Sequence, residues 1–94
     1  MNPRAAFSYC RDVLKRRWPA AEPYILKDVW HSVFYARDII KGTWPAAEPE
    51  IMKHAGDAFT YATQVMGRRW KQAEPVIKQD AQNWYDYKQY FHIK

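Results

Sequence analysis

Two short runs of basic residues, each directly before a tryptophan, are the first groups in this chain whose type and spacing could do chemistry. They are Lys15, Arg16 and Arg17 before Trp18, and Arg68 and Arg69 before Trp70. Cationic side chains beside aromatic rings can hold phosphates and stack bases, or can contact an acidic protein surface. Basic residues near helix ends also complement the helix dipole and keep a surface soluble. Both interpretations of this basic edge stay open.

The segment NWYDYKQYFHIK, residues 83–94, is a second candidate site because it is rich in aromatic residues. They are Trp84, Tyr85, Tyr87, Tyr90 and Phe91. Trp84, Tyr87 and Phe91 have helical spacing and are expected to cover the open end of the fold. Tyr85 and Tyr90 fall outside that stripe, and exposed tyrosine is enriched at protein interfaces. The tail is therefore a tentative surface for a protein partner or for self-association.

Catalytic, metal-ligating and cofactor-binding patterns are not evident. His31, His54 and His92 have no histidine or cysteine partner at i+4, which a helical metal site would need. The serines are in no nucleophile-elbow context, and the three glycines are isolated. The sequence therefore predicts a protein that is not an enzyme, with no catalytic residue, no metal and no cofactor.

The chain has 94 residues, which predicts a single domain spanning residues 1–94. Its formal net charge is +5 and its pI is about 9.4, and the basic residues are concentrated in its two ends, around a mildly acidic middle. No apolar run reaches the roughly 18–20 residues of a membrane span, and the first residues are too charged for a signal peptide. We expect a cytoplasmic protein with no membrane partner.

An internal repeat explains most of the sequence. The phrase WPAAEP occurs at residues 18–23 and 44–49, and WKQAEP occurs at residues 70–75, so Trp18, Trp44 and Trp70 are spaced by 26 residues. This period divides the chain into units 1–26, 27–52 and 53–78 and a partial capping unit 79–94. Further positions recur at the same interval, including three glutamates and four tyrosines: Glu22, Glu48, Glu74, Tyr9, Tyr35, Tyr61 and Tyr87. The pattern predicts tandem structural units whose tryptophans pack at corners.

Each unit is predicted to hold two short helices. Apolar residues at helical spacing, with Cys10, Ala36 and Ala62 at one small buried position, indicate the first helix, and Gly42 is suited to end it. The glutamate–proline pairs predict the start of a second helix, with each carboxylate capping free N–H groups. Asp28, Asp57 and Asp80 are expected to cap the next helix. The predicted fold is all-α, a small right-stacked array of short helix pairs in about three and a half repeats.

The stretches YCRDVLKRRWPAAEPYILKD, YARDIIKGTWPAAEPEIMKH and YATQVMGRRWKQAEPVIKQD resemble a short helical repeat found in uncharacterised phage and bacterial proteins. They cover about two-thirds of the chain. The third copy departs most, since Lys71 replaces the proline and Gln64 the aspartate. The resemblance implies a fold and a phage setting but no functional residues. A phage origin would place the protein in the host cytoplasm and favour binding to a host complex, such as a defence complex.

Three functions remain as hypotheses. The first is a non-enzymatic module that binds another protein, such as a phage-encoded modulator or inhibitor of a host defence complex. The second is an RNA- or DNA-binding module that uses the basic edge beside the tryptophans. The third is a structural subunit that self-assembles into a homo-oligomer through its aromatic tail.

Overall fold

The protein is a short stack of helices, elongated to 43 × 19 × 19 Å. The computed structural model describes residues 2–94, which contain helices and turns and no β-strand. Its α-helices are α1 (Pro3–Tyr9), α2 (Glu22–Ile25), α3 (Val29–Tyr35), α4 (Glu48–Ile51), α5 (Ala55–Tyr61), α6 (Glu74–Ile77) and α7 (Ala81–Phe91). Helices α1, α3, α5 and α7 pack side by side, and α2, α4 and α6 lie against them. The predicted all-α helical array is confirmed.

Each of α1, α3 and α5 continues into a wider π-helical turn. These turns span Cys10–Leu14, Ala36–Ile40 and Ala62–Met66. The next residue donates its N–H to the carbonyl five residues back, as from Lys41 to Ala36 at 2.8 Å, and takes a left-handed conformation. That residue is Lys41 at φ 60°, so the helix ends one residue before Gly42, and the prediction that Gly42 ends it is wrong. In the third unit a glycine does occupy this position, Gly67 at φ 67°.

The Trp-Pro corners turn the chain into the second helix of each unit. Pro19–Ala21 and Pro45–Ala47 form single 3₁₀ turns, and residues 71–73 form a plain turn where Lys71 replaces the proline. Pro23, Pro49 and Pro75 then lie in the first turns of α2, α4 and α6, as predicted, because an N–H is not needed there.

Two of the three predicted aspartate caps are present. Asp28 accepts hydrogen bonds from the N–H groups of Trp30 and His31, and Asp80 accepts one from Asn83. The prediction for Asp57 is wrong, because the N-cap of α5 is His54, the residue that is in register with the other two aspartates. Asp57 lies inside the first turn, where burial raises the pKa of its carboxyl.

The core runs along the axis of the stack and repeats with the sequence. Cys10, Ala36 and Ala62 are fully buried, which confirms that they form one small core position. The isoleucines Ile25, Ile51 and Ile77 and the tyrosines Tyr35, Tyr61 and Tyr87 are also fully buried. Because the α-helices of residues 2–94 are short, even where α1, α3 and α5 continue into a π-helical turn, they depend on this shared core for their stability.

Candidate functional site

A tyrosine from each following unit binds the corner of the unit before it. The hydroxyl of Tyr61 donates to Glu48 Oε2 at 2.7 Å and accepts the N–H of Trp44 at 2.8 Å. The same contact recurs 26 residues away on either side. In the first corner Tyr35 binds Glu22 and the N–H of Trp18, and in the third corner Tyr87 binds Glu74 and the N–H of Trp70. We call this three-residue contact the corner lock. It joins each unit to the next through a buried phenol.

The prediction that the three glutamates cap free N–H groups at the helix starts is wrong. None of the helices α2, α4 and α6 has a side-chain hydrogen bond at its N-cap. The carboxylates face the tyrosines instead, because this contact shields a charge and satisfies a buried hydroxyl at once. Burial, assisted by the bond to Glu74, raises the pKa of Tyr87 to about 12.

Arginine clamps two of the three corner locks from outside. Arg17 donates Nε and Nη2 to the carboxylate of Glu22 at 2.9 and 3.0 Å, and Arg69 does the same to Glu74 at 2.9 and 2.9 Å. The bond from Arg69, together with that from Tyr87, holds the pKa of Glu74 below its usual range despite some burial.

The middle corner has no such clamp. Thr43 stands where the other units have arginine, and within residues 2–94 no cation forms an ion pair with Glu48. A cleft of about 470 Å³ lies beside this glutamate, lined also by Thr43, Arg68, Trp70 and Lys71. We call it the corner cleft. It lies between the second and third corners.

The structure divides the predicted basic edge into paired and unpaired side chains. Arg17 and Arg69 are neutralised by the clamps, whereas Lys15, Arg16 and Arg68 are exposed and form no ion pair within the described residues. Lys15 also occupies the left-handed position that ends the first π-helical turn. The positive charge of the edge is therefore smaller than its composition indicates.

The aromatic tail also separates into two groups. Tyr87 is fully buried in a corner lock, and Trp84 and Phe91 pack on its ring with centroids 5.4 and 4.9 Å away. Tyr85 and Tyr90 are 56% and 54% exposed. The hydroxyl of Tyr90 donates to the carbonyl of Thr63 at 3.2 Å, which ties its ring to the neighbouring unit. Within the described part of the aromatic tail, Tyr85 and Tyr90 are the aromatic residues that offer substantial surface to a partner.

A further exposed aromatic residue, Trp30, was missed from the sequence. It is 54% exposed and packs on Phe34 at 4.5 Å between ring centroids. The guanidinium of Arg37 lies 4.3 Å from the Phe34 ring and donates to Gln64 Oε1 at 2.6 Å. Gln64 is the chain neighbour of Thr63, whose carbonyl accepts the Tyr90 hydrogen bond. We call the residues connected in this way the outer strip: Trp30, Phe34, Arg37, Gln64 and Tyr90. A signal was present, since Trp30 is the one apolar residue at a position filled elsewhere by Arg4, Gly56 and Gln82.

Two side chains with catalytic potential, those of His31 and Ser32, are engaged in structural contacts. His31 Nδ1 pairs with Asp28 Oδ2 at 2.8 Å, and the Ser32 hydroxyl bonds the backbone carbonyls of Ile25 and Asp28. Burial raises the pKa of the Cys10 thiol, which makes it a poorer nucleophile. No cluster of three or more His, Cys, Asp or Glu side chains suited to a metal ion occurs in residues 2–94.

Comparison with protein-family models, with curated proteins and with solved structures finds no match to this chain. Across the described residues, every helix is too short or too polar to cross a bilayer.

Proposed function

We propose that this protein is a non-enzymatic binding module whose outer strip contacts another protein. The observation that carries the proposal is the exposure of Trp30 and Tyr90, each 54%, at the two ends of the outer strip. Large aromatic side chains beside an arginine are the groups that most often dominate binding energy at protein interfaces. Tyr85, also on α7, is 56% exposed but lies on a different face of this helix from Tyr90.

The outer strip is also held in shape before any partner arrives. The Arg37–Gln64 bond and the Tyr90–Thr63 bond connect the second unit, the third unit and α7. A surface fixed in this way loses less conformational freedom on binding, which favours affinity. The resemblance to repeats of phage and bacterial proteins supports a host protein as the partner, with inhibition of a host defence complex as one form of this function.

Nucleic-acid binding is the second candidate, because Arg16 and Arg68 are exposed beside the Trp18 and Trp70 corners. Two observations weigh against it. The guanidinium groups of Arg17 and Arg69 are already paired with carboxylates, and the indole of Trp70 is almost fully buried, which leaves little ring surface for a base. Self-assembly through the tail is the third candidate, and sedimentation of the purified protein tests it.

The test is affinity capture from a bacterial lysate with four baits: the original chain, Trp30→Ala with Tyr90→Ala, Tyr24→Ala, and Arg16→Glu with Arg68→Glu. Tyr24 is a matched control, since it is 38% exposed but lies on α2, outside the outer strip. Each capture is divided between nuclease-treated and untreated samples and between washes at low and high salt.

We expect a protein partner that persists through nuclease and high salt, is retained by Tyr24→Ala and is lost with the outer-strip variant. Binding that disappears with nuclease, or only in the arginine variant, would refute the proposal in favour of nucleic acid. In that case, contact with about four phosphates would give a slope of about −3 to −4 for log affinity against log salt.

A further inference from the structure

We propose that the corner cleft is a binding site for the guanidinium group of an arginine side chain presented by another protein. The inference goes beyond the outer strip, because it concerns a separate surface at the Trp-Pro corners. It also assigns a role to Glu48 that the repeat pattern does not. The three corners of this chain share a glutamate and a tyrosine but differ in the residue beside them.

The first and third corners show how the site would be occupied. In both, a guanidinium lies against the glutamate and donates two parallel hydrogen bonds of 2.9–3.0 Å. Planar guanidinium and carboxylate groups fit each other in this bidentate way, which an ammonium ion cannot reproduce. The chain therefore holds two internal examples of the contact that we assign to the cleft.

The middle corner has the acceptor but lacks the donor. The hydroxyl of Tyr61 fixes Oε2 of Glu48 at 2.7 Å, as in the other two corners, so the carboxylate already has its orientation. Thr43 takes the place of the arginine, and its short side chain lines the corner cleft together with Glu48. The result is a fixed carboxylate, only partly buried, at the wall of a cleft of about 470 Å³.

The other walls suit the rest of an arginine side chain and its neighbours. Pro45 and Met66 provide apolar surface for the aliphatic stem. Arg68 and Lys71, also at the cleft, are exposed cations. They disfavour a ligand of purely positive charge and favour acidic residues on either side of the arginine. The ligand chemistry is therefore an arginine flanked by carboxylates.

The direct test is an NMR titration with the peptide acetyl-Glu-Arg-Glu-amide at low salt. The matched probe replaces arginine by citrulline, which has the same shape without the charge. We expect the backbone signals of Thr43, Glu48 and Trp70 to shift with a Kd of about 1–10 mM for the arginine peptide. Binding of the citrulline peptide to the original chain, and of the arginine peptide to Glu48→Gln, should be at least about tenfold weaker, since the charged hydrogen bonds are lost.

A second test supplies the missing arginine from within the chain. Thr43→Arg should raise the melting temperature by about 2–6 °C relative to Thr43→Gln, through a new bond to Glu48. It should also abolish binding of the arginine peptide, because the cleft is filled. The two readouts do not involve the outer strip, so their failure is distinguishable from failure of the proposed function.

Three results would overturn the proposal. One is equal binding of the arginine and citrulline peptides. Another is a Thr43→Arg variant that neither gains stability nor blocks the peptide. The third is a shift of the same signals with inorganic phosphate but not with the arginine peptide, which would make the cleft an anion site built on Arg68 and Lys71.

Discussion

Replacement of Tyr61 by phenylalanine removes the hydroxyl from the one corner lock that has no arginine clamp. The ring keeps its packing, so the change isolates two hydrogen bonds. One is the bond to Glu48 Oε2, and the other is the bond from the buried N–H of Trp44. Phenylalanine can replace neither.

The expected loss follows from the groups left behind. A hydrogen bond to a charged group contributes about 1.5–3 kcal/mol, and a buried N–H left without an acceptor costs about 1–3 kcal/mol. Because water can reach part of the Glu48 carboxylate, we expect a loss of about 3–4 kcal/mol in the free energy of unfolding. For a domain of this size that corresponds to a fall of about 12–30 °C in melting temperature.

The chain supplies its own control in Tyr35→Phe. There the bond to the carboxylate is also lost, but Arg17 still binds Glu22, and the N–H of Trp18 is only partly buried. The loss should therefore be smaller than for Tyr61→Phe. Urea unfolding followed by circular dichroism gives both values with a common slope. A loss below about 1 kcal/mol for Tyr61→Phe, or an equal or larger loss for Tyr35→Phe, would show that the hydroxyl bonds do not hold the units together.

Three further experiments test what the left-handed position, the N-cap of α5 and the Tyr87 hydroxyl contribute to stability. Lys41→Gly should stabilise the protein by about 0.5–1 kcal/mol, since glycine accepts the left-handed conformation without strain. Gly67→Ala should destabilise it by a similar amount for the same reason. Urea midpoints of the two variants that do not move in opposite directions would contradict this. His54→Asp should raise the free energy of unfolding by about 0.5–1 kcal/mol through a new N-cap hydrogen bond. The backbone of His54, at φ −125° and ψ 117°, has the same extended conformation as that of Asp28, which caps α3. An unchanged urea midpoint would argue against such a cap. The raised pKa of Tyr87, about 12 against about 10 in the unfolded chain, means that this residue's contribution is complete below pH 10 and is lost as the pH rises towards 12. Melting temperatures measured over this range should fall less in Tyr87→Phe than in the original chain, and a fall of equal size would exclude Tyr87 as a source.

One position of the core could be predicted from the sequence to the level of single residues. Cys10, Ala36 and Ala62 were placed at one buried position because residues 26 apart occupy equivalent places in stacked units. Helix type and the first-turn prolines were also visible, because both depend on local spacing and on the missing N–H of proline. The helix end at Gly42 and the cap at Asp57 were wrong because the π-helical turn and the 26-residue register, rather than residue preference, decide those positions.

The sequence by itself determined the period of this protein, its helical class and one small buried position of its core, because these follow from the repeated pattern of the units. The tertiary structure decided what the repeated polar residues do. The bonds from tyrosine to glutamate and to the tryptophan N–H join residues 13 and 17 apart, and they exist only once one unit stacks on the next. The same stacking exposed Trp30 on the outer strip and opened the corner cleft beside Glu48, since a side chain's exposure depends on its neighbours in space.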